Sequence, residues 1–387
     1  MSQQRRIYLD NAATSFPKPE VVYDAVDRYQ RKNGAPAGRG AYTEALQTQK
    51  IVERCRQRAA MLFRAKSLHQ IQFAFNGTDA LNIALHGLLK PGDHVITSVV
   101  EHNSVLRPLR ALKQRVGIDV TYVEANETGK IDPADVKSAI CSQTKLIVLI
   151  HASNVTGTIQ PVEEVAEIAA KANIFFLLDA AQSAGHLPIN IEQLPVDLLA
   201  CPGHKGLLGP LGTGLLYIKP GVEKHLTSFR QGGTGSHSEE EQQPTSLPDK
   251  YESGNHNVLG IVGLDAALGW LEEEGIETLR QHEIELTNQL MEGFASIEKI
   301  TQHGTTTAEE RLGVVSISVA NWEPQVLASL LDESFGIQTR AGLHCSPRIH
   351  RSLGTLERGG TIRFSLGAFT TKEEIEITVN ALRDILR

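Results

Sequence analysis

Between residues 79 and 218 the chain alternates short apolar runs with segments whose apolar positions recur every three or four residues. HVITSVV (94–100), IDVTYV (118–123), KLIVLIH (145–151), IFFLLD (174–179), VDLLAC (196–201) and TGLLYI (213–218) are predicted to be strands. Several run apolar without alternation, the pattern of strands covered on both faces of a mostly parallel sheet. DALNIALHGLLK and VEEVAEIAAKA carry helical spacing, so this region reads as a doubly wound α/β sheet. Ligands of such a sheet bind beyond the carboxyl ends of its strands.

Residues 231–257 (QGGTGSHSEEEQQPTSLPDKYESGNHN) are polar and broken by Gly and Pro, which predicts a solvated loop with no place in a core. The pattern then predicts one helix from 258 to about 300, a strand in GVVSISVA, a helix over Pro324–Phe335, a strand in TIRFSL and a last helix from Lys372. PKPEVVYDAVDRYQRK near the start is a further predicted helix. The expected organisation is an N-terminal segment (1–30) packed on the small domain, a large ligand-binding α/β domain (31–257) and a small α+β domain (258–387).

The 387 residues suffice for two or three domains, and 41% apolar with 21% charged residues is ordinary globular usage, which excludes disordered and fibrous classes. A net charge of -7 argues against a nucleic-acid or anionic-membrane partner, either of which needs a basic face, and favours a small soluble substrate. Cys55, Cys141, Cys201 and Cys345 lie far apart with no Cys-x-x-Cys pair, which fits a reducing compartment. No stretch approaches the ~20 apolar residues of a membrane span, and a cytoplasmic protein is expected.

The chemistry gathers at predicted strand ends. FNGTDALN (75–82) sets Gly77, Thr78 and Asp79 at a helix start, where free N–H groups and a hydroxyl suit a phosphate; an ordinary threonine N-cap is the alternative. His102 in EHNS follows the 94–100 strand, where an imidazole stacks on a flat ligand, passes protons, or is simply a loop residue. Asp179 closes the apolar run of LLDAAQSAGH with Gln182 three residues on; it is either a helix N-cap or a buried acid that needs a cation. Asn154 in HASNVTG follows LIVLIH in the same way. CPGHKGLLGPLGTG (201–214) holds His204 and Lys205 among five glycines and two prolines. Lysine is the usual Schiff-base former, and an idle surface loop is the alternative. A phosphate cradle, a stacking imidazole, a buried acid and a loop lysine are together satisfied by pyridoxal phosphate.

The ordered set YLDNAAT, FNGTDALN, EHNS, HASNVTG, DAAQS, GHKGLLGPLGTG, ESGNHN and RAGLHCSP spans nearly the whole chain. It resembles the cysteine desulfurase and selenocysteine lyase branch of the class V aminotransferases, of the short-loop type. The resemblance implies a fold-type I homodimer that uses pyridoxal phosphate. It makes Lys205 the Schiff-base lysine, Thr78 and His204 phosphate contacts beside Gly77 and Asp79, Asp179 the partner of the pyridine nitrogen, Gln182 the contact to the ring hydroxyl and His102 the stacking base. Asn154 falls near the ring hydroxyl and the substrate carboxylate, Arg340 and Arg363 on the substrate, and Asn255 on the partner subunit's phosphate. Pro202, Asn255 and Leu343 depart from the family's usual hydroxyl residue, threonine and first histidine.

Cys345 matches the sulfur-accepting cysteine of that branch, with a small buried hydrophobe or a zinc site with His344 and His350 as alternatives. Its neighbours Arg340, His344, Arg348, His350 and Arg351 are expected to favour the nucleophilic thiolate, and Cys55, Cys141 and Cys201 are expected in helical or strand-like contexts. The implied reaction takes L-cysteine to L-alanine, leaving a persulfide on Cys345 for an acceptor protein. The alternatives are a selenocysteine or cysteine sulfinate lyase, another class V enzyme acting on a small amino acid, or a silent partner in a sulfur-transfer complex.

Overall fold

A computed structural model describes residues 6–38, 40–236 and 239–387. The chain starts with β1 (Ile7–Tyr8), α1 (Glu20–Lys32) and α2 (Thr43–Phe63). It then runs through β2 (Ile71–Ala74), α3 (Gly77–Leu88), β3 (His94–Ser98), α4 (Asn103–Arg115), β4 (Asp119–Val123), α5 (Pro133–Ser138), β5 (Thr144–Ile150), α6 (Val162–Lys171), β6 (Phe175–Asp179), β7 (Leu198–Pro202) and β8 (Gly214–Ile218). After α7 (Val258–Glu274) and α8 (Ile276–Ala295) come β9 (Ile300–His303), β10 (Val314–Val319), α9 (Pro324–Phe335), β11 (Ile337–Gln338), β12 (Arg340–Gly342), α10 (Pro347–Ser352), β13 (Thr361–Ser365) and α11 (Lys372–Leu386).

Seven strands form the main sheet in the order β2-β8-β7-β6-β5-β3-β4. β3 to β7 run parallel, β8 runs against them, and β2 pairs antiparallel with β8 at the edge. The unalternating apolar runs now have a cause. In β5, Leu146 and Val148 enter one core while Ile147 and Leu149 enter another, and Leu177 and Leu178 of β6 divide in the same way. Helices α3 and α4 cover the first face; α2, α6 and α7 cover the second. A strand with both faces buried has no polar position to offer.

A third core joins α8, α9 and α11 to the four-stranded sheet β12-β13-β10-β9. Ile7 and Leu9 are buried in this core and β1 pairs in parallel with β11, whereas Val22 of α1 lies in the core of the main sheet and Tyr29 packs on α7. Among the described residues no helix is long and apolar enough to cross a membrane.

Two expectations are corrected. The helix expected from 258 to about 300 is two helices, because Gly275 sits at φ +81° and lets the chain turn between α7 and α8. The 231–257 loop does have a place in the core, since Tyr251 and Glu252 are buried. Glu252 makes a two-pronged ion pair with buried Arg56 of α2, at 2.6 and 2.8 Å, and accepts the Phe73 N–H at 2.6 Å. The polar stretch is therefore pinned across α2 and β2. Removing one partner of such a pair strands a buried charge, so Arg56→Met is expected to lower the unfolding free energy by roughly 3–5 kcal/mol in urea titrations near pH 7.

Candidate active site

The carboxyl ends of β3, β5, β6 and β7 face a cleft of about 510 Å³. Gly77, Thr78, His102, Asn154, Asp179, Gln182, His204, Lys205, Arg340 and Arg363 all line it. Three expected residues do not. Asp79 turns away into an ion pair with Arg230 at 3.4 Å, and Cys345 is exposed on the turn between β12 and α10. Asn255 lines a separate, more open cleft of about 650 Å³.

Lys205 follows β7 in a turn built on tight backbone approach. A Cβ on Gly206 would lie 2.4 Å from the Ala184 carbonyl oxygen, and one on Gly203 would lie 2.2 Å from the Thr213 hydroxyl. These two glycines admit protein atoms, whereas Gly212 is the glycine of this loop that faces the cleft. The carbonyl of His204 receives the Ser15 N–H at 3.0 Å, the hydroxyls of Thr14 and Ser15 at 3.1 Å each and the Lys18 ammonium at 3.0 Å. The peptide that presents Lys205 is thus held by the N-terminal segment. Burial lowers the Lys205 amine to about 8, opposed by Asp179 and helped by Arg363 and Arg340.

Asp179, the last residue of β6, is buried and has no ion-pair partner among the described residues; its Oδ1 accepts the Ala181 N–H at 2.9 Å. Burial raises its carboxyl to about 6. Beyond the end of β3, across β5 from Asp179, Glu101 is fully buried, with Oε1 accepting from the Ser98 hydroxyl and the Ile150 N–H at 2.8 and 3.1 Å, and with Oε2 unpartnered among the described residues. Burial raises Glu101 to about 8.

His102 is the N-cap of α4, its Nδ1 accepting the Ser104 N–H at 3.1 Å. Burial and the nearby cations Lys205, Arg340 and Arg363 lower it to about 4, so the ring is neutral near pH 7. The N-cap of α3 is Asn76, which leaves the Thr78 hydroxyl to meet Ser104 Oγ at 2.7 Å. Gln182 donates to the Ala12 carbonyl at 3.1 Å. Arg363 is buried, bound to Asp10 at 2.7 Å and to the Asn154 carbonyl at 2.9 Å, with its Nε unpartnered.

The surroundings of Cys345 are less cationic than the sequence implies. Burial lowers His344 to about 2 and His350 to about 4, so both are neutral, and the Arg348 guanidinium lies 3.6 Å from the ring centre of Tyr122. One ring nitrogen of each is bonded, His344 Nε2 to Thr361 and His350 Nδ1 to Thr355, and among the described residues no group of three His, Cys, Asp or Glu could hold a metal ion. Cys141 corrects another expectation: it lies in an exposed turn before β5, where the Thr144 hydroxyl lowers its thiol.

The family description "Aminotransferase class-V" matches residues 7–377. The chain belongs to the class V aminotransferase family. A probable cysteine desulfurase of Methanothermobacter thermautotrophicus is 35% identical over 98% of this chain and 94% of its own, and a cysteine desulfurase of Escherichia coli O157:H7 is 30% identical over 98% and 93%. The apo structure of a cysteine desulfurase from Thermococcus onnurineus superposes with a TM-score of 0.93 at 32% identity, covering 98% of this chain and 94% of its own. An Escherichia coli cysteine desulfurase in an S-sulfonic acid form gives 0.88 at 28%, covering 98% and 95%.

Class V enzymes work with pyridoxal phosphate, and the cleft fits that group. Asp179 is a buried carboxylate lacking the cation that a protonated ring nitrogen supplies. His204 Nδ1 is buried without a partner among the described residues, and the first turn of α3 offers N–H groups beside the Thr78 hydroxyl.

Glu101, Lys18 and Asp10 also shape this class V cleft, though none of them was expected there. Lys18 and Asp10 meet partners 186 and 353 residues away, so no local pattern marks them. Glu101 stands beside His102 in EHNS, and its place at the end of a buried strand was the available signal.

The raised Glu101 carboxyl makes a signed prediction. Between its unfolded value of 4.5 and about 8 the folded protein retains a proton that the unfolded chain has lost, so this group erodes stability as pH rises through that window. Glu101→Gln keeps the acceptor for Ser98 and Ile150 without the charge. Thermal unfolding of the cofactor-free variant should therefore show a gain over wild type at pH 8 that shrinks toward pH 5; an equal difference at both pH values would contradict the assignment.

Proposed function

We propose that this protein is a pyridoxal-phosphate-dependent cysteine desulfurase that converts L-cysteine to L-alanine and leaves the sulfur as a persulfide on Cys345. The observation that carries the reading is one cleft in which a lysine amine, an unpaired buried carboxylate and a buried arginine converge beside the turn that bears an exposed cysteine. Full-length relatives named cysteine desulfurase support it.

The cofactor, when bound, supplies an electrophilic carbon and an electron sink. Lys205 anchors it and moves the substrate's α-proton, a task eased by an amine lowered to about 8. Asp179 stabilises positive charge on the ring nitrogen. His102, neutral and fixed by Ser104, offers a flat uncharged face. Arg363, held by Asp10 and the Asn154 carbonyl, takes the substrate carboxylate with Arg340 beside it. Cys345 thiolate attacks the substrate sulfur; the new S–S bond forms as the C–S bond breaks, its electron pair stays with carbon, and a proton completes alanine.

We assign to the protein a cytoplasmic setting, an acceptor protein that removes the sulfur, and a two-fold dimer in which the cleft lined by Asn255, His256 and Thr234 meets the partner subunit.

Purified holoprotein given L-cysteine and a thiol reductant should release alanine and sulfide in equal amounts. Lys205→Ala should lower the rate by ~10²-fold or more, in line with loss of a positioned acid–base group. Cys345→Ala should abolish alanine formation while cofactor absorbance stays unchanged. Alanine release by that variant at the wild-type rate would falsify the persulfide step and leave a lyase in its place.

A further inference from the structure

Asn154 lines the cleft, yet both ends of its amide are turned to the segment that carries Cys345. Nδ2 donates to the His344 carbonyl at 2.6 Å, and Oδ1 accepts from the Ser346 hydroxyl at 2.7 Å. One buried amide therefore grips the residue before the cysteine and the residue after it. Between these two grips, the carbonyl of Cys345 itself accepts the Asn103 N–H at 2.7 Å, from the first turn of α4.

The turn needs such holding. His344 and Cys345 have φ of +48° and +60°, two successive side-chain-bearing residues in the left-handed region that L-residues avoid unless their surroundings impose it. Asn154 is in turn fixed from behind. Its carbonyl accepts from Arg363 at 2.9 Å, and the next two carbonyls accept from the Ser316 hydroxyl and the Arg311 guanidinium at 2.6 Å each. The grip on the cysteine turn and the seat of Arg363 thus share a single residue.

We propose that Asn154 is the positioning residue for the Cys345 thiol, acting through the clamp on His344 and Ser346. Its side chain fixes the turn at the cleft's rim, and its carbonyl fixes the arginine that holds the substrate carboxylate, so substrate and thiol are placed against one reference point. The chemical purpose rests on the desulfurase reading; the clamp itself does not.

The two are tested together by hydrogen exchange of the holoenzyme, followed by mass spectrometry over residues 341–347, in wild type, Asn154→Ala and Ser346→Ala. Ser346 lies outside the cleft lining, so its variant loosens the clamp without removing a cleft residue. Each lost bond is expected to speed exchange in this segment about fivefold, and Asn154→Ala, losing both, more than tenfold, with other segments unchanged in both variants and cofactor absorbance unchanged in Ser346→Ala. Single-turnover persulfide formation on Cys345 should slow in both variants, with the KM for cysteine in Ser346→Ala within about twofold of wild type. Unchanged exchange in 341–347 in either variant overturns the clamp, as does an Asn154→Ala protein whose only change is in cofactor absorbance or content. If exchange responds as expected but wild type forms no persulfide from L-cysteine, the clamp stands and the sulfur chemistry assigned to Cys345 is wrong.

Discussion

Asp179 is a carboxylate buried at the end of β6 with no cation bonded to it among the described residues, and the charge arrangement of the cleft follows from that. A lone buried charge is unfavourable, so its carboxyl rises to about 6 and the site is set to receive a positive group. The same desolvation acts with opposite sign on the bases around it. Lys205 falls to about 8 and His102 and His204 to about 4, which leaves a reactive amine between neutral imidazoles. Burial in one cleft thus makes several residues chemically useful at once, with no ion pair on Lys205 or Asp179 among the described residues.

Holding these groups in place falls to the backbone as much as to side chains. The His204 carbonyl is held by Thr14, Ser15 and Lys18, Arg363 by Asp10, and the Asn154 loop by Ser316 and Arg311. Arg311 is fully buried and caps the carbonyls of Thr156, Thr305 and Val314, so the loop bearing Asn154 is stitched to the start of β10. The N-terminal segment and the small sheet therefore act as jaws on a cleft whose floor is the large sheet.

Elements with one dominant physical cause were legible in the chain. The unalternating runs became strands because two cores cover the sheet, and Asp179 and Asn154 were found at strand ends because polar residues there interrupt buried apolar runs. Boundaries set by competing causes were misread. Gly275 divides a helix whose apolar spacing continues past it. The acidic, Gly-rich stretch was read as solvated throughout because nothing local distinguishes Glu252 from the exposed Glu239 and Glu240; only Arg56, 196 residues away, does so.

By itself, then, the sequence determined the two-faced sheet and the order of groups along its strand ends, and its eight short motifs carried the resemblance that implies pyridoxal phosphate. Hydrophobic period and residue type are local properties, and they survive without knowledge of what packs where. Tertiary structure alone decided which charges are paired, which histidines are neutral, that Cys141 is exposed, and that Asn154 grips the turn of Cys345 from 190 and 192 positions away. Desolvation and hydrogen bonding depend on distance in space, and no property of the isolated residues carries that distance.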